Sequence, residues 1–156
     1  MIGAGEPALP GVSIGHNGTV AFGLTIFPAD QEDLYVYETD PKSPLNYRYA
    51  GGWAQMDSVT ETIEVKGQAP RKVELHFTRH GPVIYADAAK ARAFAVRSVW
   101  AEPGTSAYFG SMGYMTAKTW DGFKGALADW GAPSENQVYA DTKGDIGWVA
   151  AGKVPR

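Results

Sequence analysis

The chain has 156 residues, of which 44% are apolar and 12% aromatic, which is enough to form a globular core. Its 14 basic and 17 acidic residues are scattered and give a net charge of −3, so nucleic acid is not an expected partner. No apolar run reaches the roughly 18 residues of a membrane span. The first residues lack the layout of a targeting signal, and the lack of cysteine excludes disulfides and thiol catalysis.

The pattern along the chain predicts an α+β protein that is rich in mostly antiparallel strands. Residues 1–11 hold three glycines and two prolines and predict an irregular segment, followed by a single β-rich domain over 12–156. Asn17-Gly18 is typical of a hairpin, and Lys66-Gly67 and Lys143-Gly144 predict further turns. Alternating apolar residues predict strands over 20–26, 34–37, 59–65, 73–77, 94–100 and 137–140.

One segment has the period of a helix. Residues 119–130 place four apolar side chains on one helical face, Trp120, Phe123, Leu127 and Trp130. Thr119 can cap the start, and Gly131 followed by Pro133 can end the helix. A second, looser helix is predicted over 106–115.

Two pairs of residues invite a chemical interpretation that their spacing does not support. His76 and His80 are four apart, but in a strand their Cα atoms would be roughly 13 Å apart, too far for one zinc ion. Ser13 and His16 would face opposite sides of a strand and lack an identifiable acid partner, so a serine-hydrolase triad is not expected. We expect His80 to hold a turn at a strand end through hydrogen bonds, and His16 to have a structural role in the hairpin at 15–18.

An acidic group, Asp30-Gln31-Glu32-Asp33, follows the first long strand pattern. Calcium takes six to eight oxygen ligands, and two carboxylates with backbone carbonyls could supply part of such a site. A solvated acidic turn explains the same residues. A further carboxylate would have to come from elsewhere, with Asp141 and Asp145 as the candidates.

Two stretches of the chain resemble the penicillin amidase family of N-terminal nucleophile hydrolases. The first is 11–37, with Gly15-His16-Asn17-Gly18, and the second is 133–156, with Tyr139-Ala140-Asp141 and Gly144-Asp145-Ile146-Gly147-Trp148. Thr78-Arg79-His80-Gly81-Pro82 lies between them in family order. The family fold stacks two sheets between helical layers, so the resemblance implies that this chain supplies a strand-rich part of an αββα sandwich.

The resemblance also implies site residues. Asn136 corresponds to the family asparagine whose side-chain amide donates to the oxyanion, and the backbone N–H of Ile26 to the second donor. Arg156 corresponds to the arginine that closes the family pattern and would orient Asn136. For structural calcium, the match gives Asp30 and Asp33 as carboxylate ligands and Glu32 through its carbonyl, with Asp145 as a further candidate.

The function implied is hydrolysis of acyl amides, either β-lactam side chains or acyl-homoserine lactones, by an amino-terminal serine. The chain begins Met-Ile-Gly-Ala, so the resemblance is to an internal fragment of the catalytic β-chain. We expect it to be inactive alone, to need the remaining parts of the α- and β-chains, and to use no organic cofactor. The family implies a periplasmic or secreted enzyme. The alternative is a noncatalytic β-rich binding or structural module.

Overall fold

The structure, a computed structural model, describes residues 1–104 and 109–156. These residues form twelve strands and two α-helices, with short 3₁₀ turns at Ala88–Lys90 and Val99–Ala101. In chain order the elements are β1 (Ile2–Ala4), β2 (Ile14–His16), β3 (Val20–Ile26), β4 (Glu32–Asp40), β5 (Ser43–Tyr49), β6 (Gly52–Gln55), β7 (Asp57–Ile63), β8 (Arg71–Thr78), β9 (Gly81–Asp87), β10 (Arg92–Ser98), α1 (Gly110–Tyr114), α2 (Trp120–Ala126), β11 (Glu135–Asp141) and β12 (Ile146–Ala151).

The strand-rich, antiparallel fold predicted from the sequence is confirmed. The strand pairs of the described residues are antiparallel. They form a five-stranded sheet with the order β1-β2-β3-β11-β12 and a seven-stranded sheet with the order β6-β5-β4-β10-β9-β8-β7. No helix in the described part of the chain is long and apolar enough to cross a membrane.

The chain is organised in two compact units, and the single β-rich domain over 12–156 stays a prediction. Met1–Gln31 and Val99–Arg156 form the first unit, and Glu32–Ser98 the second. The chain leaves the first sheet after β3 and returns to it at β11, and every strand between these two belongs to the other sheet.

The segment 1–11, predicted to be irregular, contains strand β1. Its residues pair with β2, with Gly3 opposite Gly15. A Cβ atom on Gly3 would collide with the Ile14 carbonyl oxygen and with Val12, so the two backbones approach more closely than other residues permit. A three-residue strand with a central glycine has no alternating pattern to reveal it.

The core of the first unit lies between one face of the five-stranded sheet and the two helices. Phe22 of β3 lies 4.8 Å from Tyr114 of α1, ring centre to ring centre, and Phe123 of α2 lies 5.4 Å from Tyr139 of β11. The buried residues of this core are Val20, Phe22, Tyr114, Ala117, Phe123, Leu127, Trp130, Tyr139 and Ala151. Burial of these aromatic rings is the main stabilising term for the unit.

Helix α2 begins where the sequence predicted and ends earlier. The Thr119 hydroxyl accepts a hydrogen bond from the Gly122 N–H at 3.2 Å, which is the predicted cap. The helix ends at Ala126 instead of 130, since the Leu127 and Trp130 N–H groups bond to carbonyls three residues back. Of the second predicted helix, 106–115, the structure has α1 at Gly110–Tyr114, and 106–108 lie outside the described residues.

The second unit has its own core on one face of the seven-stranded sheet, formed by Tyr37, Tyr47, Met56, Ala93 and Ala95. His80 stacks on Tyr35 with ring centres 3.9 Å apart, and its Nδ1 is hydrogen bonded to the Tyr37 hydroxyl. Burial, with the positive charges of Arg79 and Arg97, lowers the pKa of His80. His76 instead pairs with Ser58, at 2.9 Å. The two histidines therefore have separate hydrogen-bond partners.

The predicted Asn17-Gly18 hairpin is confirmed and connects the sheet to the helices. Gly18 has a φ of 91°, and the Asn17 side-chain oxygen accepts bonds from the N–H groups of Thr19 and Val20. The amide nitrogen of Asn17 donates to the carbonyls of Met115 and Ala117, at 2.9 and 2.7 Å. One side chain thus fixes both the turn and the segment between α1 and α2.

Candidate functional site

Asn136 lies on β11, on the face of the five-stranded sheet that does not pack on the helices. It is opposite Thr25 of β3 and Ala150 of β12. Its Nδ2 donates to the Thr25 hydroxyl at 3.2 Å, and its Oδ1 accepts from the Trp148 indole N–H at 3.0 Å. The amide group is therefore held on both sides by neighbouring strands while its residue remains half-buried.

Ile26 is one register position away, opposite Glu135. The Phe27 N–H donates to the Ser134 carbonyl. Bonding alternates along an antiparallel pair, so the Ile26 N–H points away from β11. On that other edge, the pairing of β2 with β3 in the described part of the chain ends at Phe22. Among the described residues, the N–H of Ile26 therefore has no strand partner on this edge.

Gln31 holds together the segments that flank β3, β11 and β12, and this role was not predicted from the sequence. Its side-chain nitrogen donates to the carbonyls of Gly131 and Lys153, both at 2.8 Å, and its oxygen accepts from the Ser134 N–H. The Ser134 hydroxyl donates to the Phe27 carbonyl at 2.6 Å. These bonds join the segment after β3 to both ends of the β11–β12 hairpin. A glutamine within an acidic group gave no sequence signal for this.

The opposite face of β11 is polar but buried. Glu135 is 1% exposed and Gln137 is 0% exposed, both among the core residues of the first unit. One carboxylate oxygen of Glu135 and both amide atoms of Gln137 have no hydrogen-bond partner among the described residues. Burial, with the negative charge of Glu6, raises the pKa of Glu135.

The calcium candidates belong to different segments of the chain. Asp30 lies in the first unit, after β3, whereas Glu32 and Asp33 begin β4 in the second. The Glu32 carboxylate accepts from the Ser98 hydroxyl at 2.8 Å. Among the described residues, no group of three or more histidine, cysteine, aspartate or glutamate side chains could hold a metal ion. A ready cage of carboxylates is thus not formed there, and calcium stays a prediction.

Asp145 lies in the turn between β11 and β12, beside Asp141. Its backbone N–H donates to the Asp141 carboxylate at 3.1 Å, and the Lys143 N–H does so at 2.9 Å. Burial would raise the pKa of Asp141, but the bond from the Tyr139 hydroxyl and these two N–H bonds outweigh it and lower that pKa. Asp141 therefore already has a structural role in closing the turn.

Arg156 is exposed after β12, and the partner found for Asn136 Oδ1 is Trp148. The predicted orienting contact of Arg156 stays a prediction. Ser13 is buried, and its carbonyl lies 3.5 Å from the Tyr114 hydroxyl. This environment is that of a structural residue.

The strand-rich fold of antiparallel sheets is shared with a solved acylase, and acylases are hydrolytic proteins. The chain belongs to the penicillin amidase family, whose family model matches residues 1–156.

Curated relatives and a solved structure agree with this assignment. The chain is 30% identical to penicillin G acylase of Escherichia coli over 95% of the chain and 17% of that protein. It is 31% identical to the acyl-homoserine lactone acylase QuiP of Pseudomonas aeruginosa over 98% of the chain and 19% of that protein. A solved thermostable penicillin G acylase from Alcaligenes faecalis superposes with a TM-score of 0.83 and 29% identity, covering 94% of this chain and 26% of that one. The chain thus spans about a fifth of the curated relatives.

Proposed function

We propose that this chain is part of an acylase that hydrolyses acyl amides, with Asn136 as an oxyanion donor. The observation that carries the proposal is the Asn136 amide, held between Thr25 and Trp148. The relatives of this chain include penicillin G acylase and an acyl-homoserine lactone acylase. Both names describe removal of an acyl group, so an acyl amide is the proposed substrate class.

The proposed reaction begins with an amino-terminal serine carried by polypeptide outside these 156 residues. Its hydroxyl oxygen attacks the amide carbon, and its own α-amine takes the hydroxyl proton. The C–N bond breaks, the leaving amine receives that proton, and an acyl-enzyme forms. Water then cleaves the ester, giving the carboxylic acid and restoring the serine. The 156 residues alone are expected to be inactive toward chromogenic acyl anilides.

The chain's own contribution is stabilisation of the negative oxygen formed in both attacks. A neutral amide donor fixed before the reaction needs no reorganisation as charge develops, and such a donor contributes about 3–4 kcal/mol to the transition state. The open position of the Ile26 N–H supports its role as the second donor, because β11 does not consume that N–H. Arg156 is proposed to support Asn136 from the end of the pattern.

The proposed location of the whole enzyme is the periplasm or outside the cell.

Structural calcium is also proposed. Asp30 and Asp33 would supply carboxylates and Glu32 its carbonyl, with Asp145 the less supported candidate. We expect millimolar calcium to raise the melting temperature of the whole enzyme, and we expect D30N to remove that increase. Asp57, on β7, offers the matched control D57N. Isothermal calorimetry without any binding heat would contradict the calcium proposal.

A noncatalytic binding module is the second candidate, and one observation favours it. The sheet face that carries Asn136 also exposes apolar side chains, including Ile14, Val138 and Ile146. Such a face suits contact with another apolar surface. If the N136A substitution left kcat unchanged, that result would favour this alternative.

The test of the acylase proposal is N136A in the enzyme that contains this chain. We expect kcat for an acyl anilide to fall about 10²–10³-fold with little change in KM, because the interaction exists only in the transition state. N46A, on β5, removes an asparagine from the other unit and should leave kcat unchanged. Equal kcat in N136A and the parent would overturn the proposed role.

A further inference from the structure

Trp148 determines which way the Asn136 amide faces. An indole N–H can donate a hydrogen bond but cannot accept one. The Asn136 atom 3.0 Å from Trp148 Nε1 must therefore be the side-chain oxygen. This places the amide nitrogen on the opposite side, where it lies 3.2 Å from the Thr25 hydroxyl.

The contact depends on the pairing of β11 with β12. Trp148 is directly opposite Val138, and Asn136 is opposite Ala150, so the indole reaches Asn136 diagonally on one sheet face. The alternation of the strand also sends Gly147 to the other face, where it packs against the ring of Trp120. The backbone that presents Trp148 is thus itself anchored to helix α2.

The amide nitrogen carries two hydrogens, and Thr25 takes one of them. With the oxygen held by Trp148, the second N–H has no partner within residues 1–104 and 109–156 and can act as a donor. If the amide turned over, its partially negative oxygen would replace this donor and would repel the oxyanion in the transition state. A fixed orientation is what an oxyanion donor requires.

We propose that Trp148 is a positioning residue that holds the Asn136 amide in its donating orientation. This inference rests on the proposed acylase function. Trp148 acts through Asn136 and need not contact the substrate. Its effect should therefore fall on kcat and should disappear when Asn136 is absent.

A double-mutant cycle in the acylase tests this. W148F keeps an aromatic ring but removes the N–H, and we expect it to lower kcat about five- to tenfold with KM within twofold. In the N136A background, adding W148F should cause no further loss, because the two residues act as one unit. W53F replaces another exposed tryptophan, on β6, and should leave kcat unchanged.

A second readout does not require catalysis. In the ¹⁵N-labelled acylase that contains this chain, W148F should shift the two side-chain amide protons of Asn136, and N136A should shift the Trp148 indole proton. W53F should shift neither. Unchanged resonances in both variants would overturn the contact.

The outcomes separate the two proposals. If N136A does not lower kcat, the oxyanion function fails and the positioning role fails with it. If N136A lowers kcat but W148F does not, the oxyanion function stands and the positioning role is overturned. If W148F lowers kcat equally in both backgrounds, Trp148 acts independently of Asn136, which also overturns this inference.

Discussion

Three consecutive residues of β11 have very different environments. Glu135 and Gln137 face the aromatic core, whereas Asn136 between them faces the other side of the sheet. A buried carboxylate without full hydrogen bonding costs free energy in its charged form. Strand β11 therefore carries the hydrogen-bonded amide of Asn136 on one face and the buried carboxyl group of Glu135 on the other.

Glu135 is expected to make the stability of the protein depend on pH. Its pKa is raised above the ordinary value of 4.5, first by burial and then by Glu6. Its contribution to stability is fully present below that ordinary value and is lost as the pH rises through the raised pKa. The E135Q side chain is neutral at every pH, so we expect this variant to melt a few degrees above the parent at pH 7. For a chain of this size, each kcal/mol of added stability raises the melting temperature by about 2–4 °C.

Thermal melts followed by circular dichroism between pH 4 and 7 measure this. The difference between E135Q and the parent should narrow toward pH 4, where the parent's carboxyl is protonated. E38Q removes an exposed carboxylate from β4 and serves as the control. A difference that stays constant across this range would show that charge on Glu135 is not the cause.

At the scale of elements, the packing of β12 on α2 depends on a missing side chain. A Cβ atom on Gly147 would lie 2.5 Å from the ring of Trp120. Gly125 in α2 has nothing within 4 Å of the same position. The same substitution should therefore have opposite effects at the two sites.

We expect G147A to destabilise the protein by about 1–3 kcal/mol, since the indole must move out of a packed position. G125A should stabilise it by roughly 0.5–1 kcal/mol, because alanine is the better helix former. Urea denaturation of both variants measures the two changes. G147A with unchanged stability would mean that Trp120 has free space to move into.

The sequence predicted correctly those elements that are specified by neighbouring residues alone. Strand β3 has the predicted bounds Val20–Ile26, and the Asn17-Gly18 turn and Thr119 cap are confirmed. Strands β5 and β9 were missed, since Pro44 and Pro82 stand near their starts and long-range pairing overrides that local signal.

The candidate site was predictable only in part. The asparagine stood in a motif, so Asn136 could be named from the sequence. Its contact with Trp148 depends on a diagonal across two strands, and a sequence pattern does not specify that register. The network of Gln31 likewise joins residues about a hundred positions apart.

At the scale of the whole molecule, the exposed face of the five-stranded sheet is the main feature. Val138 and Ile14 both lie beside Gly23 on this face, Trp148 is opposite Val138, and Ile146 is 85% exposed. A contiguous apolar surface of this kind promotes association. The solved relative that superposes on this chain is about four times longer than the matched region, which covers 26% of it.

We expect the isolated 156 residues to self-associate through this face. I146K should shift sedimentation toward monomer, because a buried ammonium group opposes contact between apolar surfaces. V59K introduces the same charge on β7, in the other sheet, and should have a smaller effect. Analytical ultracentrifugation at several concentrations would contradict this expectation if the parent were monomeric throughout.

The alternation of β11 has a consequence for how this region can change in evolution. Ser134, bonded to Gln31 and Phe27, fixes where the strand begins. Inserting or deleting one residue between Ser134 and Asn136 would reverse every later side chain, turning the amide donor toward the aromatic core. An insertion in the turn over 142–144 comes after β11 and would leave the two faces of β11 unchanged. Length, and not only residue identity, is therefore under constraint at the start of β11.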